Sequence, residues 1–398
     1  MTPNTRRAFV KNAALTAFGV GTAPAWLTRA AFAGTPNKRV LVAIFQRGAM
    51  DGLNVVIPFG EKRYTELRPT LAIPRESILE LDGLFGLHPA LKPLLPLWES
   101  KQLAAVHATG SPDPTRSHFD AQDFMESGTP GRKATRDGWL NRAISPGKAT
   151  SPIRAVSMGG ILARSLRGPN PAVAVNTIEG FKVRDNSQAE FMSMYSQSTD
   201  TVLKGTGNET FEAVKLLESI NKAKPTSSVD YPNTRLGKSL EQIAKLIKAD
   251  AGLEVAFADT TGWDTHIGQA PTMERLLGDF ARSLAAFHQD LGPRMADVTV
   301  VSMSEFGRTA KENGNRGTDH GHANVMFALG GDVQGGKVHG KWPGLEPEQL
   351  YERRDLAVTT DFRDVLSAVV QHHSGTKDFA RIFPGYEVNP LHFFRPIA

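Results

Sequence analysis

The feature that most constrains this chain is its alternation of β-branched apolar runs with segments of helical length. Arg39–Phe45 is a nearly unbroken apolar run that stops at Arg47-Gly48. A run without in–out alternation marks a strand buried on both faces. Leu103–Ala108 and Val298–Met303 repeat the pattern, with Ile153–Met158, Ala172–Val175, Leu253–Ala258 and Val325–Leu329 as further strands. Helical spacing falls between them, over Pro89–Trp98, Phe119–Glu126, Thr210–Ala223, Leu236–Lys248, Thr272–Leu291 and Phe362–His372. Strands and helices in this order predict an α/β fold of three layers, a mostly parallel sheet with helices on both faces. No linker divides residues 34–398, which read as one domain. The weak strand signal around 160–235 leaves room for a helical insertion, and Pro225–Pro232 reads as a loop.

Residues 1–33 read as an export leader. Thr5-Arg6-Arg7-Ala8-Phe9-Val10-Lys11 has the form of a twin-arginine motif, Ala13–Leu27 is a short apolar stretch, and Ala31-Phe32-Ala33 is a small-x-small cleavage pattern. The stretch is broken by Gly19, Gly21 and Pro24 and falls short of the ~20 apolar residues a span needs. The expectation is a periplasmic or secreted protein, delivered folded by the twin-arginine translocase and without stable membrane insertion. The formal charge of +5 arises mostly here, because the leader holds four bases and no acid. The remainder is nearly neutral, which argues against a nucleic-acid partner.

The 398 residues include no Cys, which excludes disulfides, thiolate-bound zinc, iron–sulfur clusters and a thiol nucleophile. Gly237-Lys238-Ser239 ends like a phosphate-binding loop, but Pro232 stands where its first Gly is needed. No GxSxG elbow precedes a helix.

Acidic and imidazole side chains gather instead after predicted strands, where open α/β sheets form their sites. Asp51 follows the first strand, between Gly48 and Gly52. Asp113-Pro114-Thr115-Arg116-Ser117-His118-Phe119-Asp120 follows the second. Ser117 with Asp120 suits a helix cap, and a hydroxyl there also lies among free N–H groups that attract an anion. Gly262-Trp263-Asp264-Thr265-His266 follows a later strand. Ser304-Glu305-Phe306-Gly307-Arg308 and Gly317-Thr318-Asp319-His320-Gly321-His322 follow the strongest, with His339 beyond. These clusters offer Asp51, Asp264 and Asp319 with His118, His266, His320, His322 and His339. Mixed carboxylate and imidazole donors suit Zn²⁺ or Mn²⁺, as one or two ions. Glu305, Lys311 and Glu312 are left unassigned.

On Asp51-Gly52-Leu53-Asn54, Arg116-Ser117-His118-Phe119, Asp264-Thr265-His266, Ser304-Glu305-Phe306-Gly307-Arg308-Thr309, Gly317-Thr318-Asp319-His320-Gly321-His322 and Gly335-Gly336-Lys337-Val338-His339-Gly340, the mature chain resembles the domain-of-unknown-function 1501 family of twin-arginine-exported bacterial proteins. That family is similar in fold to alkaline phosphatases, sulfatases and cofactor-independent phosphoglycerate mutases. The resemblance implies an alkaline phosphatase-like fold with metal ligands Asp51, Asp264, His266, Asp319, His320 and His339. His322 is an alternative to His339. It implies Ser117 as nucleophile, with Thr115 as an alternative. In a hydrolase, Arg116 or Arg308 would clamp substrate oxygens, and water could attack directly if Ser117 only caps the helix. The middle pair is spaced Asp-x-His here, where better-studied relatives usually have Asp-x-x-x-His.

Two functions fit. One is an exported metal-dependent hydrolase of phosphate or sulfate esters, acting on an anionic small molecule or polymer. The other is a non-catalytic periplasmic or cell-envelope binding protein that keeps the fold.

Overall fold

The apolar runs become strands because each can bury both faces within one sheet. The computed structural model describes residues 39–144, 151–181, 201–223, 227 and 229–395. Residues 1–33, which the sequence predicts to be an export leader, lie outside the described residues, as do 182–200 in the stretch with the weak strand signal. Among the described residues the strands are β1 (Val40–Gln46), β2 (Val56–Ile57), β3 (Leu79–Glu80), β4 (Gly86–Leu87), β5 (Leu103–Gly110), β6 (Ala155–Met158), β7 (Val173–Val175), β8 (Val255–Thr260), β9 (Val298–Met303), β10 (Asn324–Gly330), β11 (Val338–His339) and β12 (Thr360–Asp361). The main sheet has the order β11-β5-β10-β9-β1-β8-β6-β7, with β12 added beside β5. Strand β1 pairs in parallel with β8 and β9, and β6 in parallel with β7 and β8. Only β10 among these runs the other way, antiparallel to both β9 and β5. The predicted α/β class with a mostly parallel sheet is therefore what forms.

Five longer helices cover it: α1 (His118–Ser127), α2 (Thr201–Ala223), α3 (Arg235–Lys248), α4 (Gln269–Leu291) and α5 (Phe362–Ser374). Along β1, Val40, Val42 and Ile44 pack with Leu217 of α2, Ile243 of α3 and Phe280 of α4. Leu41, Ala43 and Phe45 point the other way, into a layer with Met125 of α1 and Val365 and Val369 of α5. The two-residue period of the strand thus divides the core into two layers.

The segment predicted as one helix over Pro89–Trp98 is broken. It forms a 3₁₀ stretch, Pro89–Leu94, followed by a short helix, Leu95–Glu99. Pro93 and Pro96 remove N–H donors and crowd the preceding turn, so one α-helix cannot run through. The small antiparallel sheet β2-β4-β3 has no counterpart among the predicted strands, because two-residue strands carry no readable period. No helix among the described residues is long and apolar enough to cross a membrane.

Because β5 opposes β10 and β10 opposes β9, strands β1, β5, β8 and β9 all run the same way. Their C-terminal ends lie at one edge of the sheet, and all four acidic–imidazole clusters follow those ends.

Candidate metal centre

Three loops meet at that edge and are tied together by Arg308. This side chain is 1% exposed. Its Nε donates to the Ala49 carbonyl at 2.7 Å and Nη1 to the Thr318 carbonyl at 3.0 Å. Its Nη2 reaches the carbonyls of Gly48 and Trp263 and, at 2.7 Å, Oδ1 of Asp264. The segment after β9 folds back on itself, with Arg308 bridged to His320 and the Thr309 N–H on the Asp319 carbonyl. His320 is thereby turned towards Asp264.

The Asp264 carboxylate is the meeting point. Its Oδ1 lies 3.0 Å from His266 Nε2, 3.3 Å from His320 Nε2 and 3.4 Å from His118 Nε2. His266 Nε2 and His320 Nε2 stand 2.9 Å apart, and the rings of His118 and His320 have centroids 4.3 Å apart. The donor atoms of His118, Asp264 and His320 lie within 4.8 Å of one another.

The outer nitrogen of each ring is also held. His118 Nδ1 is 2.8 Å from Glu305 Oε1, His266 Nδ1 is 3.0 Å from Asp319 Oδ1, and His320 Nδ1 is 2.8 Å from the Arg116 carbonyl. Carboxylate and carbonyl oxygens only accept, so the tautomer with the proton on Nδ1 makes all three outer bonds and leaves each Nε2 with a lone pair. Metal-binding histidines are oriented in this way. His118 Nε2 is buried and has no hydrogen-bond partner. In that tautomer three lone pairs face one carboxylate oxygen and repel unless a cation lies among them. Protonating all three rings instead would crowd three imidazoliums and Arg308 around a single carboxylate. The spacing suits a cation, since two ligands ~2.0–2.1 Å from zinc at the tetrahedral angle stand roughly 3.3 Å apart. The donor set fits one divalent ion.

Electrostatics keep Asp264 ionised and His320 neutral, while they favour the protonated form of His118. Burial raises the Asp264 carboxyl, but Arg308, His118 and His266 outweigh it and bring it down to about 2. Burial lowers His320. His118 is raised, first by its bond to Glu305. The Asp264 side chain is 47% exposed and that of His118 22%, so the cluster opens to solvent.

Asp264, His266 and His320 are the expected ligands that the fold brings together. Asp319 stands behind them, bonded to the far nitrogen of His266, and that bond is the main influence lowering its carboxyl. The remaining expectations are not met by the geometry. Asp51 is fully buried with both oxygens on Arg68. His322 turns Nε2 to the Ser111 carbonyl and its ring to Tyr351. His339 pairs with Val106 in the middle of β5, short of the strand end at Gly110, and faces the Gln334 carbonyl. Arg308 is buried with each nitrogen on a protein oxygen, which leaves its charge no opening to a substrate. Arg116 is engaged by Asp355 at 2.7 Å and Glu352 at 2.6 Å.

His118 belongs to the pool of imidazoles read from the sequence but not to the expected ligand set. Its signal is its place at the first turn of a helix that follows a strand end. Ser117, its neighbour, caps α1 by accepting the Asp120 N–H at 3.5 Å and is exposed. Glu305, fully buried behind His118, is unreadable as a partner from sequence alone.

No curated protein matches the chain in sequence. Among solved structures, it is similar to the C-terminal periplasmic domain of EptC from Escherichia coli, solved in complex with zinc. The TM-score is 0.37 at 9% identity, over 75% of this chain and 73% of that one. The lipoteichoic acid synthase LtaP from Listeria monocytogenes gives 0.32 at 9%, over 75% and 66%. The alkaline phosphatase of the Antarctic bacterium TAB5 gives 0.31 at 11%, over 75% and 92%. The family described as "Protein of unknown function (DUF1501)" matches residues 85–382, a span that contains the whole His/Asp cluster, and this chain belongs to it.

Proposed function

We propose that this protein is an exported metal-dependent hydrolase of phosphate or sulfate esters. His118, Asp264, His266 and His320 would hold a divalent ion, Zn²⁺ or Mn²⁺. One observation carries the reading: three imidazole Nε2 atoms converge on Asp264 while each Nδ1 is fixed by an acceptor. The family resemblance drawn from the motifs supports the ester class, and the twin-arginine leader supports a periplasmic or secreted location.

When bound, such an ion supplies Lewis-acid stabilisation of the developing charge on the ester's oxygens. The protein's own role is to keep the ligands in place and to offer a nucleophile beside them. Ser117 is adjacent to His118 and exposed at the start of α1, where unpaired backbone N–H groups favour an anion. In this reading its oxygen bonds to phosphorus or sulfur as the bond to the leaving alkoxide breaks, and the alkoxide takes up the hydroxyl's proton. Water then cleaves the ester on Ser117, which restores the hydroxyl and releases the phosphate or sulfate. Water attacking directly is the alternative.

The test is a panel of aryl phosphates and sulfates assayed with the Zn²⁺- or Mn²⁺-loaded protein, beside Asp264→Asn and Ser117→Asn. Asn caps a helix as well as Ser does, so Ser117→Asn removes the hydroxyl and spares α1. Loss of at least a hundredfold in Asp264→Asn is expected. Equal rates in wild type and Asp264→Asn would sink the metal mechanism. Full activity in Ser117→Asn would select water as the nucleophile.

A second reading, a non-catalytic binding protein, is favoured by one feature. Neither Arg308 nor Arg116 has its charge free for a substrate, since both are paired with carboxylates. An ion bound tightly with no turnover of any ester would support it.

A further inference from the structure

The sequence offers ligands for two ions, and the second would depend on Asp51, Asp319, His322 and His339. Each is engaged elsewhere, and Asp51 decides the matter. It lies in the loop after β1, wholly buried, and Arg68 meets it fork to fork. Nη1 donates to Oδ2 at 2.6 Å and Nη2 to Oδ1 at 2.9 Å. Gln269 Nε2 adds a third donor to Oδ2 at 2.5 Å.

Arg68 is equally committed. Nη1 also donates to Asn54 Oδ1 at 2.7 Å, Nη2 to the Thr309 carbonyl at 3.0 Å, and Nε to the Ala310 carbonyl at 3.0 Å. All five N–H donors of the guanidinium are used inside the protein, and the residue is 0% exposed. An ion at Asp51 would have to displace this guanidinium and leave a buried cation unpaired.

We infer that the centre takes a single divalent ion, and that Arg68 supplies at Asp51 the fixed positive charge a second ion would bring. This rests on the reading of the His/Asp cluster as a metal centre. The pair also reaches the ligand loops. Gln269, which donates to Asp51, accepts from the hydroxyls of Thr265 at 2.9 Å and Thr318 at 2.6 Å. Thr265 lies between Asp264 and His266, and Thr318 precedes Asp319 and His320.

The experiment is equilibrium dialysis of the purified chain against Zn²⁺, followed by elemental analysis, with His320→Ala as the blank for surface binding. One equivalent above the blank is expected for wild type. One equivalent is also expected for Asp51→Asn, and for Asp51→Asn/Arg68→Met, which removes both buried charges if the single variant fails to fold. Two equivalents in wild type, falling to one without Asp51, would overturn the inference and leave the metal-centre reading standing. No zinc above the blank in wild type would overturn that reading and the inference with it. The wild-type count decides even if neither Asp51 variant folds.

Discussion

At the scale of single residues, the buried carboxylate of Glu305 organises the centre from behind. Its Oε1 accepts from His118 Nδ1, from the Gln122 amide and from the Gly48 N–H, each at 2.8 Å, while Ser304 donates to Oε2. Burial raises this carboxyl, but the bonds from His118, Gln122 and Gly48 outweigh it and hold it below the ordinary glutamate value. An ionised Glu305 fixes the tautomer of His118 and so aims Nε2 at Asp264. Outer partners of this kind are typically worth roughly 10- to 100-fold in metal affinity. Glu305→Gln is therefore expected to weaken Zn²⁺ binding by about that factor with the fold intact. Competition against a chromophoric chelator measures it, and an unchanged affinity would remove Glu305 from the centre.

At the scale of elements, the centre depends on how closely two loops approach. A Cβ at Gly317 would stand 2.2 Å from the carbonyl carbon of His266. Only the missing side chain lets the loop before Asp319 lie against the loop that carries His266, where the Thr318 N–H meets the Thr265 carbonyl. Gly317→Ala is expected to push these loops apart and to cost about 1–3 kcal/mol, as overpacking does. Stability by urea denaturation and Zn²⁺ affinity should fall together. A stable variant with full affinity would show that the loops have room to spare. From sequence, Gly317 reads only as a turn residue, because a close approach between loops some fifty positions apart leaves no local mark.

At the scale of the whole molecule, buried histidines far from the centre set its response to acid. His107 lies inside β5 between Phe85 and Trp342. Its Nε2–H donates to the Val56 carbonyl and its Nδ1 accepts the Ala108 N–H, so a second proton has no acceptor to meet. Burial lowers it to about 4, and His88 and His373 likewise. The unfolded chain binds these protons near the ordinary value of about 6.5, so between that pH and about 4 it holds more protons than the folded chain. Stability falls as pH drops through this window and levels off below it, by on the order of 3 kcal/mol for a fully buried group such as His107. Urea denaturation between pH 7 and pH 4 should show the fall, with a shallower slope in His107→Gln. Equal slopes would mean that His107 does not titrate on unfolding.

Local order was enough for much of this. The apolar runs fixed the strands, the turns after them fixed where polar chemistry collects, and Asp264, His266 and His320 were readable because each sits in a loop that follows a strand. The proline break at residues 93 and 96 was equally written in the sequence, though helical spacing masked it. What local order does not hold is which charged groups meet. Asp51 has the position of a ligand, and only folding brings Arg68 onto both its oxygens. Arg308 looks like a substrate clamp until three loops close around its guanidinium. His118 and Glu305, separated by 187 positions, become a pair only when the helix after β5 packs against the loop after β9. Burial periodicity is a property of neighbours along the chain. Pairing of charges is a property of neighbours in space, and it was the tertiary structure that decided it.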